Sequence, residues 1–293
     1  MVSVEPVSQT RSEKKSRPAL ATTYEGTGVD LLHSIAPLVD YLEIPPDSIA
    51  RTNGASEDLR PELLAEIASV TPPLKLIAHG VGLSIGSFDN WNESYLHLLD
   101  QLFDRFALDW HSEHLAYTTV VGENLGTMVA LPRTEETLDL ICERVSLIQQ
   151  RYRVPFLLEH VIHLLPDAPS DYTNAGFLNA ITARTGCGLI LDAYNLECDR
   201  HNLGLDIPSF LNELNLEPVR ELHVAGGTLH NGFQLDIHSR PTAESTLALA
   251  LDIIARSPNL SVLTYEFLKE AIPALGHSGI CNELTRIRRA ISQ

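Results

Sequence analysis

The feature that most constrains the fold is a repeated alternation of short apolar runs with amphipathic stretches of helical period. This alternation is typical of parallel strands covered by helices. The predicted strands are Ala19–Tyr24, Tyr41–Ile44, Leu74–His79, Ala107–Leu115, Val154–His160, Gly188–Asn195, Glu221–Ala225 and Leu263–Phe267. The predicted helices are Val29–Val39, Arg60–Val70, Glu93–Phe106, Glu135–Arg151, Asp171–Thr185, Pro208–Leu214, Ala243–Ala255 and Asn282–Ile291. Eight β-α units predict an α/β fold, a (β/α)₈ TIM barrel, with residues 19–293 as one domain.

An open, doubly wound sheet is the alternative fold. It predicts a phosphate-binding G-x-G-x-x-G after the first strand, and Glu25-Gly-Thr-Gly-Val-Asp30 supplies only half of that motif. Residues 1–18 are polar and carry four basic side chains with few large apolar ones. We therefore expect a disordered N-terminal tail before the barrel domain.

Charge and hydropathy exclude several classes of partner. The chain has 21 basic and 38 acidic residues, a net charge of −17, which disfavours nucleic acid because such binding depends on Lys and Arg at phosphates. No apolar run approaches the length of a membrane span, and the N-terminus lacks the apolar segment of a signal peptide. The four cysteines are far apart in sequence. These features predict a cytoplasmic protein with reduced thiols and no membrane or nucleic-acid partner.

Ionisable side chains are concentrated where six successive predicted strands end, from the third strand to the eighth. In a parallel barrel the carboxyl ends of the strands form one rim, where sites are built. Buried carboxylates need cations or donors, and few Lys or Arg occupy matching positions. The pattern predicts a site for two or three bridged metal ions, and mixed imidazole and carboxylate ligands suit iron, manganese or zinc. The candidate ligands are His79, His114, Glu159, Asp192, His223, Asp236, His238 and Glu266.

Two of these positions, and Glu43 beside them, need separate comment. A lone histidine at a strand end is more often a structural hydrogen bonder than a ligand, but eight such groups at one rim make that explanation weak. Asp236 and His238 are two residues apart, so in an extended segment they point the same way and can bind one ion together. Glu43 ends the second strand, where binding an ion, ordering the rim and accepting backbone donors are equally good interpretations.

Taken together, these motifs resemble a known family over nearly the whole chain after the tail. The family is the multinuclear non-heme iron-dependent oxidases, first catalogued as domain of unknown function 692, which include the oxidase subunit of methanobactin biosynthesis. The matching segments are His79-Gly-Val-Gly-Leu-Ser-Ile-Gly-Ser, Ser112-Glu-His-Leu, Leu158-Glu159, Leu191-Asp192 with Asn195, Leu222-His223-Val-Ala-Gly, Asp236-Ile-His238 and Tyr265-Glu266.

The resemblance implies a xylose-isomerase-like TIM barrel with two or three iron ions, mixed Fe(II) and Fe(III), at the carboxyl-terminal rim. It implies an enzyme that uses O₂ to modify cysteines in a ribosomally made precursor peptide, with a small partner protein that presents the peptide. The eight residues given above correspond to the iron ligands. Glu113 and Asn195 are the candidate catalytic residues, and Asn195 is also a candidate further ligand.

The chain departs from the family pattern at three positions. His160 stands where relatives usually have Asn, Leu203 replaces the His of an Asn-His-Gly motif, and Gly227 replaces the His of a Gly-His pair. One or two metal positions are therefore expected to differ, with His160 or His201 as compensating ligands. These changes bear on whether a third ion is bound.

Other functions are compatible with a rim of this composition. A sugar isomerase expects a catalytic lysine near the metals, but Lys75 begins a strand and Lys269 lies beyond the last one. A metal-dependent phosphodiesterase needs basic groups along its groove, which the net charge disfavours. A catalytically decayed metal-binding subunit is the non-enzymatic alternative, because several motif positions are replaced.

Overall fold

Eight parallel strands close into a barrel in the described part of the chain, and the last strand pairs with the first. The computed structural model describes residues 17–53, 56–164 and 170–293, so most of the predicted tail lies outside the described residues. The closed barrel confirms the predicted fold and excludes the open sheet. The strands are β1 (Ala19–Thr23), β2 (Tyr41–Ile44), β3 (Lys75–Gly80), β4 (Leu108–His114), β5 (Phe156–Glu159), β6 (Gly188–Asp192), β7 (Val219–Val224) and β8 (Val262–Tyr265).

Helices cover the outside of the barrel, and each of the eight predicted helices has an observed counterpart. One helix, α6, lies partly where the sequence predicts a continued strand, because Asp192 ends β6 and its carboxylate accepts the N–H groups of Tyr194 and Asn195. This is a helix N-cap. The helices are α1 (Val29–Ile35), α2 (Pro61–Ala68), α3 (Glu93–Arg105), α4 (Glu135–Arg151), α5 (Asn174–Thr185), α6 (Ala193–Leu203), α7 (Ile207–Glu213), α8 (Glu244–Arg256), α9 (Ile272–Leu275) and α10 (His277–Ile291).

Antiparallel hairpins, which the sequence analysis did not predict, interrupt the connections that follow β2, β4 and β7. All of them therefore emerge at the carboxyl-terminal end of the barrel, which we call the mouth. No helix in the described residues is both long and apolar enough to cross a membrane. The hairpins are Ala50–Asn53 with Ser56–Leu59, Ala116–Val120 with Glu123–Ala130, and Thr228–His230 with Phe233–Leu235.

The interior of the barrel changes from apolar to polar along its axis. Side chains two residues apart on a strand share a face, so each strand contributes to successive interior layers. Below the mouth is an apolar layer that includes Tyr41, Ile77, Leu157 and Ile190. Two residues further along the same strands stand Glu43, His79, Glu159 and Asp192, all buried. The apolar layer closes the barrel beneath these groups, so ligands reach them only through the mouth.

Candidate metal centre

Strand register places the predicted ligands at one level of the barrel. His114 of β4 lies beside Glu159 of β5, and Asp192 of β6 lies beside His223 of β7. Seven of the eight predicted ligands line one cavity at the mouth, and His223 lies fully buried directly below it. No lysine or arginine is among the described residues that line this mouth cavity. The prediction that the acids and imidazoles meet at one rim agrees with this placement.

Glu159 is the centre of the arrangement. Its Oε2 lies 2.9 Å from His79 Nε2 and 3.3 Å from His114 Nε2, and its Oε1 lies 3.4 Å from His223 Nδ1. Two ligands bound at right angles, each about 2.1 Å from one first-row metal ion, lie roughly 3 Å apart. The spacing between Glu159 and its histidines is therefore that of ligands sharing an ion.

Hydrogen bonds fix which imidazole nitrogens are free to bind. Ser112 Oγ donates to the carbonyl of Ala78, so it accepts the Nδ1 proton of His79 at 2.9 Å. His114 Nδ1 lies 2.8 Å from the carbonyl of Gly80 and must also carry a proton. In the neutral imidazoles, both Nε2 lone pairs then point at a carboxylate oxygen. Nitrogen lone pairs and a carboxylate oxygen, which are all hydrogen-bond acceptors, therefore face one another. This arrangement requires protons or a metal ion between them.

A second group of ligands lies on the opposite side of Glu159. His223 Nδ1 lies 3.1 Å from Glu266 Oε2, and ligand atoms of Glu159, Asp192, His223 and Glu266 all lie within 4.8 Å of one another. Asp192 uses Oδ1 to cap α6, while its buried Oδ2 has no hydrogen-bond partner among the described residues. Glu159 therefore belongs to both groups and can bridge two ions.

Asp236 and His238 lie next to this second group, in the loop after the third hairpin. His238 Nε2 is 2.6 Å from Asp236 Oδ1, and His238 Nδ1 is 3.8 Å from Glu266 Oε2. Tyr194, on α6, donates its hydroxyl proton to the carbonyl of Leu235 and so ties this loop to the helix that Asp192 caps. The two side chains are therefore in contact, although the segment is not extended as the sequence analysis assumed, since His238 has a φ of 43°. Their binding of one shared ion stays a prediction.

The pKa values of these groups show that the buried carboxylates lack a compensating positive charge. Burial opposes the charged imidazole of His79, but attraction to Glu159 outweighs burial and raises its pKa to about 9. The same balance, with Asp236 as the main attracting group, raises the pKa of His238 to about 10. Burial and the repulsion of Glu159 raise the pKa of Asp192 to about 8. In the ion-free protein, protons supply the positive charge that metal ions would otherwise bring.

Two further carboxylates lie below His223, of which sequence analysis considered Glu43 and missed Glu221. His223 Nε2 lies 3.4 Å from Glu43 Oε2 and 3.4 Å from Glu221 Oε1. Glu221 accepts hydrogen bonds from Trp110 Nε1 at 2.8 Å and Thr264 Oγ1 at 2.5 Å. A histidine that binds metal through Nδ1 donates its Nε2 proton to such a partner, which fixes the ring. The two-residue spacing of Glu221 and His223 was the signal that they share a face.

The two candidate catalytic residues lie in different surroundings. Asn195 lines the mouth cavity with a buried Oδ1 that has no hydrogen-bond partner in the described chain, so it is available as a further ligand. Glu113 is buried outside the barrel wall, against Tyr95 of α3, and belongs to none of the ligand groups found in the described residues. Burial raises the pKa of Glu113 to about 8. Its position suits support of the β3–β4 wall better than contact with substrate.

The positions that depart from the family pattern, and the two candidate compensating histidines, belong to none of the ligand groups of the described residues. Leu203 is exposed at the end of α6. His160 lines an apolar cavity outside the barrel with Phe177 and Phe210, and His201 lies on the surface near the carbonyl of Gly232. Neither belongs to a ligand group of the described residues, so the structure gives no support to their compensating role. A Cβ at Gly227 would lie 2.1 Å from the carbonyl oxygen of Leu235, so this backbone excludes a side chain there.

The donor set fits metal ions and disfavours a lysine-dependent isomerase. Buried nitrogen and oxygen atoms converge, several have no hydrogen-bond partner among the described residues, and the free cysteines lie outside these groups. Such a set suits first-row metals that accept mixed ligands. Lys75 lies at the opposite end of the barrel, where it donates to Tyr41 and Asp109, and the ammonium-bearing side chain of Lys269 is exposed.

Solved structures with similar folds confirm a xylose-isomerase-like barrel. A xylose isomerase domain-containing protein from Salmonella typhimurium LT2 superposes with a TM-score of 0.64 at 12% identity, covering 96% of this chain and 100% of that one. The IolI protein, solved with a zinc atom, gives a TM-score of 0.59 at 16% identity, covering 93% of this chain and 97% of that one. These likenesses concern the fold alone.

Sequence comparison identifies the family. A UPF0276 protein of Caulobacter vibrioides is 33% identical over 218 residues, which cover 74% of this chain and 75% of that protein. A UPF0276 protein of Rhizorhabdus wittichii is 32% identical over 229 residues, covering 78% and 79%. The family model described as RiPP precursor modification enzyme MbnB/TglH/ChrH matches residues 27–292. The resemblance found in the motifs is therefore confirmed, and the chain belongs to this family of enzymes that modify precursors of ribosomally synthesised peptides.

Proposed function

We propose that this protein is an iron-dependent, O₂-using oxidase that modifies cysteine residues of a precursor peptide. The convergence of three histidine nitrogens on the two oxygens of Glu159 carries the metal part of the proposal, because these buried acceptors have no lysine or arginine beside them in the described mouth cavity. Family membership supports the peptide substrate. Bound iron would supply the redox chemistry between O₂ and the cysteine.

The protein's own contribution is geometry and charge. His79 and His114 present fixed Nε2 atoms because Ser112 and the Gly80 carbonyl hold their Nδ1 protons. Glu159 bridges two sets of ligands, one with His79 and His114 and the other with Asp192, His223 and Glu266. These two sets of ligands support the binding of two ions per chain. The ligands offered by Asp236, His238 and Asn195 support a third.

The mouth cavity also provides a partly apolar place for the reacting residue. Met128, on the second hairpin, and Phe267 and Leu268, after β8, line it beside the ligands. Such walls restrict water around a bound thiolate and orient the side chain toward the ions. A small partner protein that presents the peptide, as the family resemblance implies, would act outside this cavity.

Anaerobic reconstitution tests the proposal. The protein is purified without O₂, loaded with Fe(II), and analysed for iron, zinc and manganese, and is then mixed with the Cys-containing peptide encoded nearest its gene. We expect at least two irons per chain, O₂ consumption that depends on the peptide, and a mass change located at cysteine. A protein that retains only zinc and consumes no O₂, with peptide and any neighbouring partner protein supplied, contradicts the proposal.

A further inference from the structure

Besides Asp236, one carboxylate of the mouth cavity belongs to none of the ligand groups among the described residues. Glu25 follows β1 and is 9% exposed, and it lines the cavity on the side of β1 and β2, together with Thr23 and Ser48. Its Oε1 accepts a hydrogen bond from Ser48 Oγ at 3.2 Å, and its Oε2 accepts one from the backbone N–H of Lys269 at 2.8 Å. Both donors are neutral, so the buried charge has no hydrogen-bonded cation among the described residues.

Thr23 gives an independent sign of a missing ligand on this side. Its side chain is 6% exposed, it lines the same cavity, and its buried Oγ1 has no hydrogen-bond partner among the described residues. Leaving a buried hydroxyl unpaired costs about 1–3 kcal/mol. A group that enters the cavity and hydrogen-bonds with Thr23 would also come next to Glu25.

The chemistry of this side selects a particular kind of ligand group. A carboxylate accepts about four hydrogen bonds, so Glu25 has acceptor capacity left after Ser48 and Lys269. Burial raises the pKa of Glu25 despite its two hydrogen-bond donors and the attraction of the Lys269 ammonium, whose side chain is exposed, so the charge of Glu25 is only partly compensated. A positively charged donor would compensate it, whereas a carboxylate or phosphate would add repulsion. The apolar atoms of Pro45 and Leu268 beside it suit a short aliphatic spacer.

We propose that Glu25, Thr23 and Ser48 form a subsite that binds a protonated amine of the substrate while its thiol reaches the metal ions. The subsite favours a cysteine with a positive charge close to its sulfur. That charge is either the cysteine's own amine or a neighbouring basic side chain, near enough to the sulfur for both groups to fit in the mouth cavity together. The part concerning the thiol rests on the proposed function. The part concerning the amine rests only on the three residues of the subsite.

The test uses three small thiols with the same two-carbon spacer on the cobalt(II)-loaded protein. Cysteamine ends in an ammonium group, N-acetylcysteamine in a neutral amide and 3-mercaptopropionate in a carboxylate. Calorimetry gives the dissociation constants, and the sulfur-to-cobalt charge-transfer absorption reports whether the thiol reaches the metal. The variants are Glu25→Gln, Thr23→Val and, as a matched charge control, Glu123→Gln, since Glu123 is exposed on the second hairpin and does not line the mouth cavity.

We expect the wild-type protein to prefer cysteamine to N-acetylcysteamine, and 3-mercaptopropionate to bind weakest. Glu25→Gln should reduce this preference by about tenfold or more, the range for a hydrogen bond to a charged group, and Thr23→Val by less. Glu123→Gln should leave the preference unchanged. Comparing ratios between proteins cancels the different acidities of the three thiols.

The outcomes separate the subsite from the proposed function. A Glu25-dependent preference for the amine without a charge-transfer band supports the subsite and contradicts thiol binding at the metal. A charge-transfer band with the same preference in Glu25→Gln as in the wild type overturns the subsite and leaves the proposed function standing. No binding of any thiol overturns both. An unchanged cobalt ligand-field spectrum and thermal melt verify that Glu25→Gln preserves the fold.

Discussion

The two ends of the barrel compensate carboxylate charge in different ways. At the amino-terminal end, the Asp109 carboxylate accepts hydrogen bonds from Tyr41 at 2.7 Å and from Lys75 at 3.3 Å, so the chain supplies its own donors. At the mouth, Glu159 faces histidine nitrogens whose protons are held elsewhere. The same strands thus complete one polar cluster internally and leave the other to be completed by protons or, as we propose, by metal ions.

Replacing the central carboxylate should have the largest effect on this contrast. Glu159→Gln removes a charge and a bridging ligand from both ligand groups. Loss of an outer partner already costs about 10–100-fold in metal affinity, and loss of a direct ligand should cost more. Metal analysis after dialysis against a graded chelator measures the effect, with circular dichroism as a folding control. Full metal retention by this variant would place the ions elsewhere.

Replacing Glu221, the carboxylate below His223, should have a smaller effect, because every predicted direct ligand stays in place. Glu221→Gln weakens the acceptor that faces His223 Nε2 but keeps shape and the contact with Trp110. We expect roughly 10–100-fold weaker metal binding and a changed cobalt ligand-field spectrum. Trp110→Phe removes one donor to Glu221 and leaves its carboxylate a stronger acceptor for His223, so the spectrum should change in the opposite direction and by less. If neither variant alters affinity or spectrum, Glu221 does not orient the histidine.

A change of pH should test the contrast between the two ends of the barrel without any mutation. The pKa of about 9 at His79 and of about 8 at Asp192 means that both groups are protonated at pH 7 in the ion-free protein. Metal binding must displace these protons, so apparent affinity should rise with pH between about 7 and 9, roughly tenfold per pH unit for each proton released. Titration of Fe(II) or cobalt(II) in weakly buffered solution measures the release directly. Constant affinity over this pH range would contradict the idea that protons supply the positive charge when metal ions are absent.

The smallest effect is expected at the opposite end of the barrel. Asp109→Asn removes a partly exposed ion pair with Lys75, and such pairs typically contribute less than about 1 kcal/mol. Metal content should match the wild type, and the free energy of unfolding, measured with urea, should change little. A loss of metal from this variant would mean that the two ends are energetically coupled.

The strands and the ligand rim could be predicted because both depend on local patterns. Short apolar runs that end in an acid or imidazole mark where β3, β5 and β6 reach the mouth. Helix α6 was missed because the run through Asp192 continues with apolar residues, and only the cap formed by that side chain turns the chain into a helix. The hairpins were missed because their strands lack the alternation of a half-buried strand; Glu123–Ala130, for example, passes from exposed to half-buried residues without alternating.

The site was predictable as a set of residues, but its internal arrangement was not. Which nitrogen of His79 is free depends on Ser112, on the neighbouring strand, and register between strands cannot be read from one sequence. Glu221 was missed because it lies two residues before His223, in a deeper layer of the barrel than the strand ends. Glu113 lies in the matching motif Ser112-Glu-His-Leu, but one sequence does not show that its side chain points away from the face that carries His114, since neighbouring residues on a strand point to opposite faces.

The capping of α6 by Asp192 has a consequence for how the enzyme acquires its ions. The Asp192 carboxylate is held by Tyr194 and Asn195, and the hydroxyl of Tyr194 holds the segment that leads to Asp236. These restraints are made by the chain itself and persist when a chelator strips the centre. Emptying and refilling should therefore be reversible without refolding, so one purified batch can be exchanged among iron, manganese, cobalt and zinc.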